Sequence, residues 1–171
     1  LVRKNWIIGG DFQGELFNWL GIRGEGHLLF PDKTQQHNQV ELSAALEHRW
    51  ESSLTIRLEQ FYHGGGARTE VAYGQQSSTS QPQTSYLARH YTALGASYEL
   101  TPLLTSDATA IHNWVDNSSL LALYIRYSLS NEAELAVSSN LPMGCKSKGL
   151  VVCSEFGMLP HSLNVDARVY F

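Results

Sequence analysis

The clearest pattern along the chain is an alternation of apolar and polar residues near its C-terminal end. In residues 161–171, Leu163, Val165, Ala167 and Val169 alternate with polar or charged side chains. A period of two places the apolar side chains on one face of a β-strand and the polar side chains on the other. Residues 161–171 are therefore predicted to form a strand with one apolar face.

The same alternation recurs in eight earlier segments, which predicts about nine strands in all. Residues 120–129 show it most clearly, with Leu121, Leu123 and Ile125 on the apolar face. The other predicted strands cover residues 5–16, 20–30, 40–51, 54–59, 86–100, 103–114 and 134–141. If the turn after residue 51 centres on Ser52, Glu47 falls opposite Arg57 on the polar face, and this pair helps to fix the register.

The connections between the predicted strands fall into two classes. Short turns at 17–19, 51–53, 101–102 and 130–132 lie at one end of the strands, and longer connections at 31–38, 64–85, 115–118 and 143–160 lie at the other. Transmembrane barrels have short periplasmic turns and longer outer loops, whereas a soluble β-sandwich has no reason to segregate loop lengths. The predicted fold is therefore all-β, a transmembrane antiparallel up-and-down β-barrel, with long extracellular loops at 64–85 and 143–160.

The predicted strand number bears on the domain organisation. Nine is odd, whereas bacterial single-chain barrels have an even number of strands. An unpaired sheet edge is not tolerated in lipid. We therefore expect residues 1–171 to be a single β-barrel domain or the C-terminal part of a larger, even-stranded barrel.

Composition narrows the function classes. Charged residues make up 16% of the 171 residues, below the roughly 25% of a typical soluble domain. The longest apolar runs cover about six residues, whereas a transmembrane helix needs about 20. The net charge of -4 provides no basic patch for nucleic acid.

No metal or cofactor motif is present in the sequence. Cys145 and Cys153 are predicted to form a disulfide in an oxidising compartment.

Large aromatic side chains are expected near both ends of the strands, where amphipathic rings favour the headgroup depth of a bilayer. A membrane girdle is predicted near the short-turn end from Trp19, Trp50, Tyr98, Tyr127 and Phe171. A second group is predicted near the long-loop end from Phe30, Tyr62, Tyr86 and Trp114.

Residues 120–171 also carry a family resemblance. The hairpin YSLSNEAEL, the loop SEFG and the terminal RVYF resemble the C-terminal hairpins of porin-like β-barrel proteins from the outer membrane of Gram-negative bacteria. The resemblance implies an outer-membrane location, contact with outer-membrane lipids and lipopolysaccharide, and recognition of the strand ending in Phe171 by the barrel-assembly machinery. It implies a passive pore for ions or small solutes. The resemblance is also compatible with a homo-oligomer.

The polar faces of the predicted strands collect charged side chains that would line such a pore. They would tune ion or solute selectivity, or they would form a salt-bridged wall that keeps the interior wet or plugged. Carboxylates outnumber arginines among them, which mildly favours cations. The predicted pore-lining residues are Asp11, Glu15, Arg23, Glu25, Glu41, Glu47, Arg49, Arg57, Glu59, Arg89, Glu99, Asp107, Arg126, Glu134, Asp166 and Arg168.

Histidines on the opposite, outward face raise an alternative function. If the turn after Leu100 centres on Thr101, His90 and His112 lie directly opposite each other, with Ser119 on the neighbouring strand. Outer-membrane phospholipase-type enzymes place a Ser–His pair on that face, although His112 lacks the His-x-Ser-Asn pattern of that family. A lipid hydrolase is therefore the alternative to a pore, and a non-transporting structural barrel is a third interpretation.

Overall fold

The computed structural model describes residues 5–31, 38–76, 86–146 and 152–170. In these ranges nine antiparallel strands form one sheet, and each strand pairs with its neighbours in chain order. The strands are β1 (Asn5–Leu16), β2 (Leu20–Pro31), β3 (Gln39–Arg49), β4 (Thr55–His63), β5 (His90–Thr101), β6 (Leu104–Asn113), β7 (Ser118–Ser130), β8 (Ala133–Met143) and β9 (Ser162–Val169). The predicted all-β, up-and-down fold is confirmed. With β1 and β9 as its edges, the sheet is compatible with part of a barrel.

The two faces of the sheet differ sharply in charge. Since side chains alternate along each strand and cross-strand partners share a face, the register places every Asp, Glu, Lys and Arg of the nine strands on one face. We call this the charged face and the opposite one the apolar face. Large side chains of the apolar face are open to solvent in the isolated chain, including Trp6 at 77% and Leu163 at 71% exposure.

The register agrees with the sequence prediction at one hairpin and differs at another. Glu47 lies opposite Arg57, as predicted. The predicted pairing of His90 with His112 is wrong, because β5 and β6 pair about Pro102, one residue beyond the predicted centre at Thr101. His112 consequently lies opposite Thr92, and the carbonyl oxygen of His90 accepts a hydrogen bond from the backbone of Trp114 at 3.1 Å.

The described parts of the two longest connections pack against the charged face near one end of the strands. The connection after β4 contains a 3-10 turn at Glu70–Ala72 and one helical turn at Tyr73–Gln76. The connection before β9 contains a 3-10 turn at Phe156–Met158. The buried apolar residues of the described chain lie mainly here: Ala67, Tyr73, Ala88, Tyr91 and Phe156 form one cluster. The predicted strand start at residue 86 is wrong, because β5 begins at His90.

The predicted aromatic groups are distributed over both faces. Tyr98 and Tyr127 lie on the apolar face and are 40% and 42% exposed. Trp19 and Trp50 pack edge-on against the ring of His48 at 5.2 and 4.2 Å between ring centroids.

Tyr86 lies over the charged face instead, with its ring 5.3 Å from that of Phe61. Phe171 lies outside the described residues. No helix in the described residues is long and apolar enough to cross a membrane.

Candidate functional site

A buried polar group joins both long connections to the charged face. We call it the Glu155 cluster, and it consists of Tyr73, Tyr91, Asn113, Asp116 and Glu155. One carboxylate oxygen of Glu155 accepts hydrogen bonds from the Tyr91 hydroxyl at 2.5 Å and from the Asn113 amide at 2.8 Å. Its other oxygen accepts one from the backbone of Leu87 at 3.0 Å. Glu155 therefore binds β5, β6 and the connection after β4 at the same time.

Asp116 is the second carboxylate of the Glu155 cluster. Its Oδ2 accepts hydrogen bonds from the Tyr73 hydroxyl at 2.9 Å, from the Glu155 backbone at 2.7 Å and from the Asn113 amide at 3.2 Å. Its Oδ1 accepts one from the Ser118 backbone at 2.8 Å, which closes the turn between β6 and β7. The Asn113 amide nitrogen also lies 3.0 Å from the Tyr73 hydroxyl, so this buried side chain contacts Tyr73, Asp116 and Glu155.

Burial dominates the titration behaviour of this cluster. It raises the pKa of Glu155 above the ordinary carboxyl value, and the negative charge of Asp116 adds to the rise. Hydrogen bonds from Tyr91 and the Leu87 backbone oppose the rise, because they stabilise the charged form. Burial likewise raises the pKa of Tyr73, which therefore remains a hydrogen-bond donor.

A disulfide ties the segment that carries Glu155. Cys145 and Cys153 are bonded, with 5.5 Å between their Cα atoms. Next to the bond, the Ser154 hydroxyl donates to the carbonyl oxygen of Cys145 at 2.9 Å and accepts from the Gly157 backbone at 3.2 Å. The bond thus links the end of β8 to the residue two positions before Glu155.

The charged face carries the predicted pore-lining residues of the strands, several of which are paired. Arg57 Nε donates to Glu47 Oε2 at 2.8 Å, and Arg168 Nη1 donates to Glu134 Oε1 at 3.0 Å. The carboxylates of Glu59 and Asp107 accept from neighbouring serines. The remaining predicted residues on this face are Asp11, Glu15, Arg23, Glu25, Glu41, Arg49, Glu99, Arg126 and Asp166.

Part of the charged face forms an open cavity of about 380 Å³. Asp11, Glu25, His27 and Glu41 are among its lining residues. Glu41 Oε2 lies 3.4 Å from His27 Nε2, and Glu41 Oε1 lies 2.7 Å from His63 Nδ1. The His63 side chain is buried. No three His, Cys, Asp or Glu residues in the described ranges are arranged to hold a metal ion.

Arg89 differs from its predicted place in a pore wall. It precedes β5, and its guanidinium donates to the carbonyl oxygens of Gly64 and Gly66 at 3.0 and 3.3 Å. Its Cζ atom lies 6.0 Å from the centroid of the Tyr62 ring. Arg89 therefore anchors the start of the connection after β4.

The residues of the alternative catalytic site lie on the apolar face. His112 and Ser119 are cross-strand neighbours, and Nδ1 of His112 is 2.9 Å from the hydroxyl oxygen of Ser119. His112 also packs edge-on against Trp114 at 4.6 Å. His90 contacts the ring of Tyr62 at 5.1 Å and is not the partner of His112. The structure thus brings together one of the two predicted pairs.

Sequence reasoning missed the Glu155 cluster, since its members lie far apart in the chain and within polar connections. One local signal existed: Asp116 and Ser118 are two residues apart, as in turns closed by an aspartate side chain. Comparisons of the chain with protein-family models, curated proteins and solved structures found no match.

Proposed function

We propose that this chain forms the wall of a porin-like pore in the outer membrane of a Gram-negative bacterium, with passive passage of ions or small solutes along its charged face. The observation that carries the proposal is the segregation of charge, because every charged strand residue in the described ranges lies on one face. Alternation of lipid-facing apolar and lumen-facing polar residues is typical of transmembrane barrels.

Energetics support a lipid environment for the apolar face. Trp6, Ile8 and Phe12 on β1 and Val165 on β9 are 60–77% exposed in the isolated chain. An exposed apolar sheet face favours contact with lipid or protein. An Arg or Lys residue on a lipid face costs about 2–4 kcal/mol at the bilayer midplane, which agrees with the absence of charged residues from the apolar face of the described strands.

The charged face supports a weak preference for cations. Arg57 and Arg168 are each bound to a carboxylate, so their charge is locally compensated. Asp11 and Glu25, by contrast, line the 380 Å³ cavity. The Glu155 cluster holds both long connections against this face and would narrow the outer mouth of the pore.

Conductance of the native protein in planar bilayers tests the proposal. Replacing two wall carboxylates, Asp11→Asn with Glu25→Gln, is expected to shift the reversal potential in a KCl gradient toward lower cation preference. The matched control removes two carboxylates from short turns, Glu51→Gln with Glu132→Gln, and should shift it much less. Equal shifts would contradict a role of the charged face in permeation, and absence of conductance would favour a non-transporting structural barrel.

The 2.9 Å contact between His112 and Ser119 favours a second candidate, an outer-membrane lipid hydrolase. A His–Ser pair can activate the hydroxyl group as a nucleophile. Calcium-dependent release of fatty acid from phospholipid vesicles, lost in both His112→Ala and Ser119→Ala, would support it. Ser106→Ala on the same face is the control, because the Ser106 hydroxyl donates to the carbonyl oxygen of Tyr98. No release by the native protein would exclude this activity.

A further inference from the structure

Three titratable side chains lie side by side across β2, β3 and β4 on the charged face. Glu41 on β3 pairs directly with His27 on β2 and with His63 on β4. We call these three residues the histidine row. Side chains directly opposite each other on neighbouring strands have Cβ atoms about 4.5–5.5 Å apart, so two imidazole rings flank one carboxylate.

The carboxylate of Glu41 uses one oxygen for each histidine of the row. Oε1 lies 2.7 Å from Nδ1 of His63, and Oε2 lies 3.4 Å from Nε2 of His27. Nδ1 of His63 makes no hydrogen bond within the described ranges, so its contact with Glu41 is electrostatic. Attraction between unit charges at these distances requires that each imidazole carries its additional proton.

The two histidines differ in their surroundings. The His63 side chain is 2% exposed, and its ring stacks parallel to that of Phe61 with 6.3 Å between the ring centroids. The His27 side chain is 39% exposed and lines the 380 Å³ cavity together with Glu41. The histidine row therefore extends from a buried position on β4 to the cavity.

A second row of side chains adds two carboxylates to the same cavity. Asp11 on β1 and Glu25 on β2 are directly opposite each other, and Glu25 is two residues before His27 on the same face. Both carboxylates line the cavity, and no Lys or Arg is among its lining residues in the described part of the chain. The cavity therefore collects three carboxylates with Glu41 included.

Charged groups on the adjoining elements are engaged in other contacts. Arg89, whose carbonyl oxygen accepts from the His63 backbone at 2.8 Å, donates through its guanidinium to backbone carbonyl oxygens of the connection after β4. Glu59 lies four residues before His63 on the same face of β4 and accepts a hydrogen bond from the Ser43 hydroxyl at 2.6 Å. The protonation of the two histidines is therefore what changes the charge beside Glu41.

Protonation of the histidine row changes the local charge by two elementary charges. With both imidazoles neutral, the carboxylates of Asp11, Glu25 and Glu41 give a charge of −3, and with both protonated the charge is −1. Histidine is the side chain type whose ordinary pKa, about 6.5, lies closest to neutral pH. A lower pH should therefore weaken the attraction of the cavity for cations.

We propose that His27 and His63 determine the ion selectivity of the pore by neutralising Glu41 in acid. At higher pH, Glu41 acts on passing cations together with Asp11 and Glu25. In acid, the protonated imidazoles hold Glu41 in ion pairs. This inference rests on the proposed pore and makes its cation preference dependent on pH.

The reversal potential of the native protein in planar bilayers, in a fixed KCl gradient, tests the inference at about pH 8 and about pH 5.5, on either side of the ordinary histidine pKa. The permeability ratio of cation to anion is expected to fall by about two-fold or more at the lower pH, because the two added charges act on ions within a Debye length. His27→Gln with His63→Gln should abolish this fall. His27→Gln alone changes only a partly exposed side chain and should remove roughly half of the fall, so a folding defect at buried His63 does not decide the outcome.

His161→Gln is the matched control, because His161 is exposed, precedes β9 and does not line the cavity. It should keep the full fall. Glu155→Gln should also keep the fall, which separates the histidine row from titration of the Glu155 cluster.

A conducting native protein whose reversal potential does not change with pH would overturn the inference and leave the pore proposal standing. A fall that persists in both histidine variants, or that disappears in His161→Gln or Glu155→Gln, would also overturn it. Absence of conductance at both pH values would contradict the pore and, with it, this inference.

Discussion

The hydroxyl group of Tyr91 donates a hydrogen bond to Glu155, with 2.5 Å between Oη and Oε2. This contact attaches the connection before β9 to the charged face of β5. Both side chains are buried, and the Asn113 amide donates to the same carboxylate oxygen. The segment carrying Glu155 is therefore held by buried polar contacts in addition to the packing of Phe156.

The titration of Glu155 predicts that this attachment weakens as pH rises. Its pKa is raised in the folded chain, so its stabilising contribution is complete below the pKa of the unfolded chain and is lost as pH rises through the folded pKa. The titratable groups facing it are Tyr73, Tyr91 and Asp116. Hydrogen exchange at the Phe156 backbone, corrected for intrinsic rates, is expected to speed up as pH rises above the ordinary carboxyl pKa. Glu155→Gln should remove this dependence, and a dependence unchanged in Glu155→Gln would refute it.

The strands and their faces could be predicted from the sequence because side-chain direction alternates with every residue. Leu121, Leu123 and Ile125 therefore reveal one face without any knowledge of the fold. Register was predictable only where the turn was placed correctly, as it was for Glu47 and Arg57. At the β5–β6 hairpin the strands pair about Pro102 rather than Thr101, and this difference of one residue was enough to pair the wrong residues.

The Glu155 cluster could not be predicted, for a physical reason. Glu155 and Tyr91 are 64 residues apart, and the packing of a connection depends on which polar groups meet once the sheet has formed. Polar residues in Gly- and Ser-rich connections also have the composition of solvated loops. The buried position of Glu155 follows from tertiary contacts rather than from any local pattern.

Asn113 offers a direct test of the charge balance in the Glu155 cluster. Asn113→Ala removes the shared donor and should cost about 1–3 kcal/mol. Asn113→Asp adds a third carboxyl group beside Asp116 and Glu155, and should lower the thermal midpoint in detergent further at neutral pH than at acidic pH. The control is Asn140→Asp on the charged face, whose amide donates only to Ser162 at 3.1 Å in the described chain. Equal effects at positions 113 and 140 would contradict the clustering of charge at Asn113.

The disulfide is expected to stabilise the Glu155 segment without contributing to the sheet. Replacing Cys145 and Cys153 by Ser removes the bond that closes a short ring. The expected loss of stability is at most about 3 kcal/mol. Tryptic cleavage after Lys146 and hydrogen exchange at Phe156 should speed up, whereas exchange in β7 should not change. A reducing agent should reproduce the effect in the native protein and have none in the double variant. Unchanged exchange at Phe156 would show that hydrogen bonds alone hold the segment.

Two adjacent residues of β5 test whether the apolar face meets lipid. Leu94 lies on the apolar face between Leu58 and Ala110, whereas Ala93 lies on the charged face between Glu59 and Ile111. Leu94→Lys should destabilise the protein in lipid vesicles by about 2–4 kcal/mol, measured by denaturant unfolding. Ala93→Lys adds the same charge beside Glu59 and should have little effect. Leu94 is 51% exposed in the isolated chain. If the apolar face were in water, Leu94→Lys would therefore change stability by only about 0.5 kcal/mol in either direction. The difference between the two variants therefore measures the polarity of the surroundings of the apolar face, independently of whether the protein conducts.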